Sequence, residues 1–208
     1  EGAGFPVQFL TAHNCLHGWG NLEEGESVLI HAAAGGVGTA AVQLAREAGA
    51  EVFGTASTQE KLDKAASLGC DHPINYVEDD FVSVIDDKTE HGVDLVLDGI
   101  GSDTTTRSLD ALKQFGRMVV FGAASGEPGR PRTDNILFAN QTVIGYHLGR
   151  ALSLKPMRVL EAVPELTELL NAGTLEVQFD TAFDLADVKA AHDYIEGRES
   201  MGKVVITP

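Results

Sequence analysis

A regular alternation of short apolar runs with longer helix-forming segments constrains this chain more than any other feature. The apolar runs, which have the length of β-strands, lie at 27–33, 51–56, 72–75, 93–97, 117–121 and 142–147. Segments typical of helices separate them, at 37–48, 59–68, 80–88 and 104–113. Strands joined by helices of about ten residues must run parallel, because each crossover returns the chain to the same end of the sheet. The alternation therefore predicts an α/β fold, a Rossmann-type doubly wound parallel six-stranded sheet with helices on both faces.

Further elements are predicted at both ends of the chain. They are a helix at 5–17, helices at 157–171 and 187–195, and a strand at 203–207, while the stretch 126–131 is assigned to no element because it is rich in proline and glycine. The sheet needs none of these elements. We therefore expect the C-terminal ones to pack elsewhere.

The charge balance and the hydropathy exclude several classes of partner. Acidic residues outnumber basic ones by 31 to 15, which gives a formal charge of −16, and no basic cluster is present to follow a nucleic-acid backbone. Because such an excess of carboxylates repels itself until salt screens it, a halophilic source is a hypothesis. No run reaches the roughly 18 apolar residues of a membrane span, and no secretory leader opens the chain, so we expect a soluble, cytoplasmic protein without a membrane partner.

The turn after the first predicted strand carries the main binding signal. It reads Ala33-Ala34-Gly35-Gly36-Val37-Gly38. Residues with little or no side chain let backbone N–H groups approach a pyrophosphate at the start of the following helix. In the G-x-G-x-x-G frame Ala33 replaces the first glycine, so the match is not strict. The position of the turn, between an apolar strand and an amphipathic helix, favours a dinucleotide site over an ordinary helix cap.

The end of the second predicted strand indicates which dinucleotide is bound. It reads Gly54-Thr55-Ala56-Ser57 and lacks the carboxylate that holds the ribose of NAD or of S-adenosylmethionine, which argues against a methyltransferase. Lys61 follows in the next helix and can reach a 2′-phosphate as a point charge. The sequence therefore predicts NADP(H); the alternative is that Lys61 is only a solvated surface residue.

Other reactive side chains give weaker signals. His13 and His17 are four residues apart on a predicted helix, but no third ligand is suitably spaced, so no metal site is predicted. Cys15 has no neighbouring base, and together with Cys70 it is interpreted as a buried thiol. Asp98 suits a loop that lines the cofactor cleft better than a catalytic role. Catalytic residues therefore stay unassigned.

Several separated motifs in order resemble the quinone oxidoreductase (zeta-crystallin-like) branch of the zinc-independent medium-chain dehydrogenase/reductases. The first is His31-Ala32-Ala33-Ala34-Gly35-Gly36-Val37-Gly38, continuing through Ala41-Val42-Gln43-Leu44-Ala45. The others are Phe5-Pro6, Leu10-Thr11-Ala12, Ile74-Asn75-Tyr76, Asp98-Gly99-Ile100-Gly101, Gly116-Arg117, Phe121-Gly122, Ala191-His192 and Gly202-Lys203-Val204-Val205. The resemblance covers essentially the whole chain.

The resemblance implies a set of contacts for each part of the cofactor. They are Ala34, Gly35, Gly36, Val37 and Gly38 for the pyrophosphate; Ser57, Lys61 and Tyr76 for the 2′-phosphate; Ile100, Gly101, Ser102, Gly122, Ala123, Ala124 and Ser125 for adenine and ribose; and Thr11 and Leu148, within His147-Leu148-Gly149, for the nicotinamide.

The resemblance also implies an organisation and an activity. Residues 1–26 form a lead-in helix and turn, 27–150 the dinucleotide-binding domain, and 151–208 a C-terminal part that returns toward a GroES-like catalytic domain, which we expect to be missing from this chain. The implied activity is hydride transfer from NADPH to a quinone or another activated alkene or carbonyl, for which this chain alone is expected to be incomplete. A homodimer through the edge strand 141–147 is also implied. The alternatives are an enoyl reductase domain of a larger synthase and a non-catalytic dinucleotide-binding protein.

Overall fold

The computed structural model describes residues 2–208, which contain a six-stranded parallel sheet and a separate two-stranded parallel sheet. The strands are β1 (Ser27–Ile30), β2 (Glu51–Ala56), β3 (His72–Asn75), β4 (Val93–Asp98), β5 (Leu112–Val120), β6 (Thr142–Gly145), β7 (Phe179–Asp184) and β8 (Lys203–Thr207). The large sheet has the order β3-β2-β1-β4-β5-β6. This order confirms the predicted doubly wound fold. The strand order reverses between β1 and β4, and ligands of such sheets bind outside the carboxyl ends of the strands at this point.

Helices cover both faces of the large sheet. They are α1 (Leu10–His13), α2 (Gly36–Glu47), α3 (Gln59–Leu68), α4 (Phe81–Lys88), α5 (Ser102–Asp110), α6 (Thr133–Ala139), α7 (Leu148–Leu154), α8 (Pro156–Leu160), α9 (Val163–Asn171) and α10 (Val188–Glu196). The π-helical turns Phe5–Phe9 and Asn14–Trp19 extend α1 at both ends, so the helix predicted at 5–17 is confirmed. Among residues 2–208, no helix has both the length and the apolar character needed to cross a bilayer.

The central strands are apolar because both of their faces are covered. Every residue of β1 and β4 is buried. Val28 and Ile30 belong to the core beneath α1 and α2, whereas Leu29 belongs to the core beneath α4 and α5. Successive residues of a strand point to opposite faces, so a strand covered on both sides reads as a continuous apolar run.

Some predicted boundaries were wrong. The helix predicted at 157–171 is divided into α8 and α9, because Pro164 lacks an N–H group and its ring would clash with the carbonyl of Leu160 in a continuous helix. The segment predicted as helix at 104–113 is helical from Ser102 to Asp110, and β5 already begins at Leu112. The strands predicted at 27–33 and 142–147 end at Ile30 and Gly145, where the turns that border the cleft begin.

Three elements had no counterpart in the sequence prediction, namely α6, α7 and β7. Both α6 and α7 have only 7 residues, about two turns, which is too short for an apolar periodicity to identify a helix. β7 pairs with the predicted strand β8, and α10 contacts both. A parallel bridge between Gly202 and Gly35 joins this C-terminal unit to the turn that follows β1.

Candidate cofactor-binding site and its relatives

The turn at 33–38 leaves backbone N–H groups unpaired at the start of α2. Gly35 caps this helix with an extended backbone (φ −77°, ψ 177°) and without a side-chain hydrogen bond. Its N–H donates to the carbonyl of Ala32 at 2.8 Å, and its own carbonyl accepts from Thr39 N–H at 2.8 Å. The first N–H groups of a helix have no helical partner and attract anions. Gly36, Val37 and Gly38 supply these groups here.

Close packing explains two of the three glycines. A Cβ atom at Gly38 would stand 2.2 Å from the carbonyl oxygen of Ala32, and one at Gly36 would stand 2.0 Å from Nε2 of Gln8. The neighbour of Gly38 is backbone, whereas the neighbour of Gly36 is the end of a side chain in the lead-in helix. Gly38 therefore allows the turn to close on itself, and Gly36 allows the lead-in helix to approach it.

The three residues predicted around the 2′-phosphate lie at the carboxyl edge of β2 and β3. Ser57 directly follows β2, and Tyr76 follows β3, with its N–H donating to the carbonyl of Ala56 at 3.1 Å. Lys61 lies in the first turn of α3, where its backbone N–H donates to the hydroxyl of Thr58 at 3.4 Å. The structure therefore places Ser57 and Tyr76 after neighbouring strands and Lys61 in the first turn of the helix that follows β2, and β2 itself ends without a carboxylate.

Arg198 is a further residue whose backbone reaches this position, and the sequence reasoning missed it. The ammonium group of Lys61 donates a hydrogen bond to the backbone carbonyl of Arg198, across a separation of 137 residues. The side chain of Arg198 is exposed, and its backbone is left-handed, with φ 58°. The one available signal was that Arg198 is the single cation in the segment 197–202 before the last strand. Nothing in that segment indicated that it would return to α3.

The loops after β4 and β5 are held together by backbone hydrogen bonds. The N–H groups of Ala124 and Ser125 donate to the carbonyls of Gly99 and Ile100 at 2.9 and 3.0 Å. Ser102 N–H donates to the carbonyl of Glu127 at 3.0 Å. The predicted residues 100–102 and 122–125 therefore form one paired wall of the cleft.

Asp98 orders the first of these loops. Its side chain is fully buried, and Oδ1 accepts from the N–H groups of Ile100 at 2.8 Å and Gly101 at 3.2 Å. Its other oxygen, Oδ2, accepts from the hydroxyl of Thr105 at 2.5 Å. All of these partners belong to the loop or to α5. The carboxylate therefore fixes the loop, and its burial and these hydrogen bonds argue against a catalytic role.

His31, which the sequence analysis did not single out as a functional side chain, ties the strands beneath the cleft to α5. Its Nδ1 lies 3.0 Å from the hydroxyl of Thr55 on β2, and its Nε2 lies 2.8 Å from the hydroxyl of Ser108 on α5. Burial lowers the pKa of His31 to about 4, although the carboxylate of Asp98 opposes this shift. The imidazole is therefore neutral at neutral pH and acts as a fixed hydrogen-bonding bridge.

The residues predicted at the nicotinamide end are divided between two elements. Thr11 is buried on α1, which packs on α2. Leu148 begins α7, directly after His147, and His147 lines the same 530 Å³ cavity as Gly122. Gly122 thus belongs to this cavity as well as to the wall formed by the two loops.

The two histidines and two cysteines that were considered as metal ligands or nucleophiles pack against other side chains of the fold. The rings of His13 and His17 are 4.9 Å apart, and Nε2 of His13 lies 3.1 Å from Oε2 of Glu165. In the part of the chain from residue 2 onward, however, no three His, Cys, Asp or Glu side chains are grouped to hold a metal ion. Cys15 and Cys70 are both buried, as predicted, and burial raises the pKa of each thiol, that of Cys70 to about 12.

Comparison with known proteins identifies the family. A family model described as zinc-binding dehydrogenase matches residues 36–172. The 2-haloacrylate reductase of Burkholderia sp is 38% identical over 213 residues, which cover 99% of this chain and 62% of that protein. Despite the description of this family, residues 2–208 do not form a zinc site, because no three His, Cys, Asp or Glu side chains among them are grouped to hold a metal ion.

Solved structures agree in fold over nearly the whole chain. The Escherichia coli quinone oxidoreductase complexed with NADPH has a TM-score of 0.91 and 32% identity, covering 99% of this chain and 64% of that one. The CurK enoyl reductase has a TM-score of 0.87 and 35% identity, covering 99% and 61%. Our chain thus spans less than two thirds of the length of these relatives. It belongs to the zinc-binding dehydrogenase family, and its relatives confirm the resemblance to the quinone oxidoreductase branch.

Proposed function

We propose that this chain is the cofactor-binding part of an NADPH-dependent reductase that transfers hydride to a quinone or another activated alkene or carbonyl. The observation that carries the proposal is the charge at the end of β2. β2 ends in Ala56, followed by Ser57, without a carboxylate to hold the ribose of NAD, and Lys61 stands in the first turn of the next helix. The relative solved with NADPH supports the same choice of nucleotide.

Each part of the site has a separate task in this proposal. The N–H groups of Gly36, Val37 and Gly38 bind the pyrophosphate, and the wall ordered by Asp98 forms one side of the cleft. Lys61 exchanges its hydrogen bond with the carbonyl of Arg198 for one with the 2′-phosphate. Bound NADPH supplies the hydride, and the protein contributes orientation and the exclusion of water.

A comparison of NADPH with NADH tests the proposal. Nucleotide fluorescence gives the dissociation constant of each cofactor for the parent protein and for Lys61→Ala. A charged hydrogen bond to phosphate contributes about 1.5 kcal/mol or more, so Lys61→Ala should weaken NADPH binding about tenfold and leave NADH binding unchanged.

The matched control is Lys88→Ala, which removes an exposed lysine from the end of α4. This variant has the same net charge as Lys61→Ala and should bind NADPH as the parent does. Equal affinity of the parent for the two nucleotides, or an equal loss for both in Lys61→Ala, would contradict the assignment of the 2′-phosphate site.

An enoyl reductase module of a larger synthase is the second candidate. It is favoured by the CurK enoyl reductase, which matches 99% of this chain. Turnover of NADPH should be compared between an enoyl thioester and a quinone, with the natural protein in full. Preference for the thioester would favour the synthase module. Cofactor binding without turnover of either substrate would favour a non-catalytic dinucleotide-binding protein.

We also propose a homodimer through the edge strand at 141–147. β6 is the terminal strand of the large sheet, so one side of its backbone has no partner strand among residues 2–208. Phe138, on the preceding helix α6, is 81% exposed, which is unusual for a phenylalanine. Sedimentation should show a dimer that Val143→Pro converts to monomer, since proline removes an N–H group from the strand. A parent protein that is monomeric at micromolar concentration would contradict this.

A further inference from the structure

A cavity of 530 Å³ opens at the carboxyl ends of β5 and β6, and we call it the β5–β6 cavity. Its apolar lining includes Trp19, Phe121, Tyr146 and Leu154. The rings of Trp19 and Tyr146 pack against each other, with centroids 4.9 Å apart. A volume of several hundred cubic ångströms with a mainly apolar lining suits a small organic ligand.

The charged residues that line this cavity are all basic. They are Arg150 and Lys155, and none of the residues lining the cavity is acidic, although acidic residues outnumber basic ones by 31 to 15 in the chain. Within residues 2–208, neither Arg150 nor Lys155 forms an ion pair with a carboxylate. Two unpaired cations beside an apolar cavity, in a strongly acidic chain, indicate that the site selects an anion.

His147 provides a third donor. Its Nδ1 accepts the backbone N–H of Arg150 at 3.3 Å, so in the neutral ring the hydrogen is on Nε2. Nε2 has no protein partner within the described residues, and His147 lines the cavity. The cavity therefore combines an apolar lining with three groups that can donate to an anionic oxygen.

We propose that the β5–β6 cavity binds the substrate, and that the substrate carries a carboxylate which Arg150 and Lys155 recognise. The substrate class is thus an activated alkene or carbonyl compound with an acid group and a small apolar body. This inference rests on the proposed function, because His147, which lines the cavity, directly precedes Leu148, the residue predicted to contact the nicotinamide. A ligand in this cavity would then lie next to the reactive end of NADPH.

Trp19 makes the proposal testable by equilibrium binding, because it is the single tryptophan of the chain and lines the cavity. The probes are trans-4-oxopent-2-enoate and its neutral amide, which have the same activated alkene and nearly the same shape. Quenching of Trp19 fluorescence gives the dissociation constant of each probe for this chain. Consumption of NADPH is measured with the natural protein in full, because this chain alone is expected to be incomplete for turnover. The buried thiols, whose pKa values are raised by burial, should not react with either enone during the measurement.

The parent protein should bind the acid more tightly than the amide, by about tenfold for two partly exposed charged contacts. Arg150→Met combined with Lys155→Met should remove this preference and leave binding of the amide and of NADPH unchanged. The control combines Lys88→Met with Lys189→Met, which gives the same net charge but removes exposed cations outside the cavity. This control should retain the preference for the acid.

Each other outcome has a distinct meaning. Equal affinity for acid and amide in the parent, or equal losses of both in the double variant, would overturn the inference. A parallel loss of NADPH affinity would also overturn it, because the cations would then belong to the cofactor site. Preferential binding of the acid without consumption of NADPH would support the anion-binding cavity but contradict the proposed reductase activity. Reduction of both probes at equal rates and with equal affinities would support the reductase activity but overturn the inference that the cavity selects a carboxylate.

Discussion

Replacing Gly36 or Gly38, in the turn at 33–38, by alanine should have different effects on stability, because Gly38 packs against backbone and Gly36 against a side chain. In Gly38→Ala the new Cβ would stand 2.2 Å from the carbonyl oxygen of Ala32 and 2.8 Å from Cα of Ala33, both of which are backbone atoms. Overpacking of this kind costs about 1–3 kcal/mol or more, whereas alanine gains only about 1 kcal/mol over glycine in a helix. Because backbone atoms cannot rotate away, we take the upper end of this range and expect a net loss of about 2 kcal/mol. For a chain of this size, this loss lowers the melting temperature by about 4–8 °C.

Gly36→Ala should behave differently, because its nearest neighbour is the side-chain amide of Gln8, at 2.0 Å. The end of that side chain can rotate away, so the free energy of unfolding should change by less than about 1 kcal/mol. Thermal unfolding monitored by circular dichroism measures both variants, and Gln8→Ala combined with Gly36→Ala should restore any stability that Gly36→Ala loses. The reasoning would be refuted if Gly38→Ala melted with the parent, or if Gly36→Ala were the more damaging of the two.

Three further predictions concern the polar interior and the net charge. The pKa of His31 is lowered from 6.5 to about 4 in the folded protein, so between these pH values the unfolded chain binds an extra proton. The free energy of unfolding should therefore fall by about 3 kcal/mol in total as the pH drops through this window. Urea unfolding between pH 4 and 7 should show a smaller fall of this free energy in His31→Gln, and an identical fall would contradict the prediction. Asp98→Asn should destabilise the protein by about 1–3 kcal/mol, because an amide cannot accept from Ile100, Gly101 and Thr105 at once; chemical denaturation measures the loss, and Asp103→Asn, in the first turn of α5, is the exposed control that should show none. Since the net charge is −16, added sodium chloride should raise the melting temperature through screening, and a melting temperature that is independent of molar salt would contradict the halophilic hypothesis.

The strands of the large sheet were predictable because the physical signal is local. β1 and β4 are apolar throughout, since helices cover both of their faces, and such runs are visible in the sequence without knowledge of their neighbours. The glycine turn was equally visible, because the need for small residues and the start of α2 occur in adjacent positions. α6 and α7 could not be predicted from periodicity, because each has only 7 residues, about two helical turns.

The candidate site was predictable only where its residues follow strands of the sheet. Ser57 and Lys61 were predicted from the end of the second strand and the start of the next helix, whereas Tyr76 followed only from the family resemblance. The structure places Ser57 and Tyr76 side by side because β2 and β3 are parallel neighbours. Their roles as cofactor contacts, like those of the other predicted site residues, stay predictions until nucleotide binding is measured. Arg198 and the β5–β6 cavity depend on contacts between distant segments, for which a single sequence carries no signal.

By itself, the sequence determined the parallel sheet, its covering helices, the buried thiols and the position of the glycine-rich turn, because each of these follows from the composition of a short segment. Only the tertiary structure decided that Lys61 meets the backbone of Arg198, that Asp98 is occupied in ordering a loop, and that Arg150 and Lys155 border a cavity free of acidic residues. The physical reason is that burial and hydrogen bonding within an element are set by neighbouring residues, whereas the chemistry of a cleft is set by the side chains that folding brings to one place from distant parts of the chain.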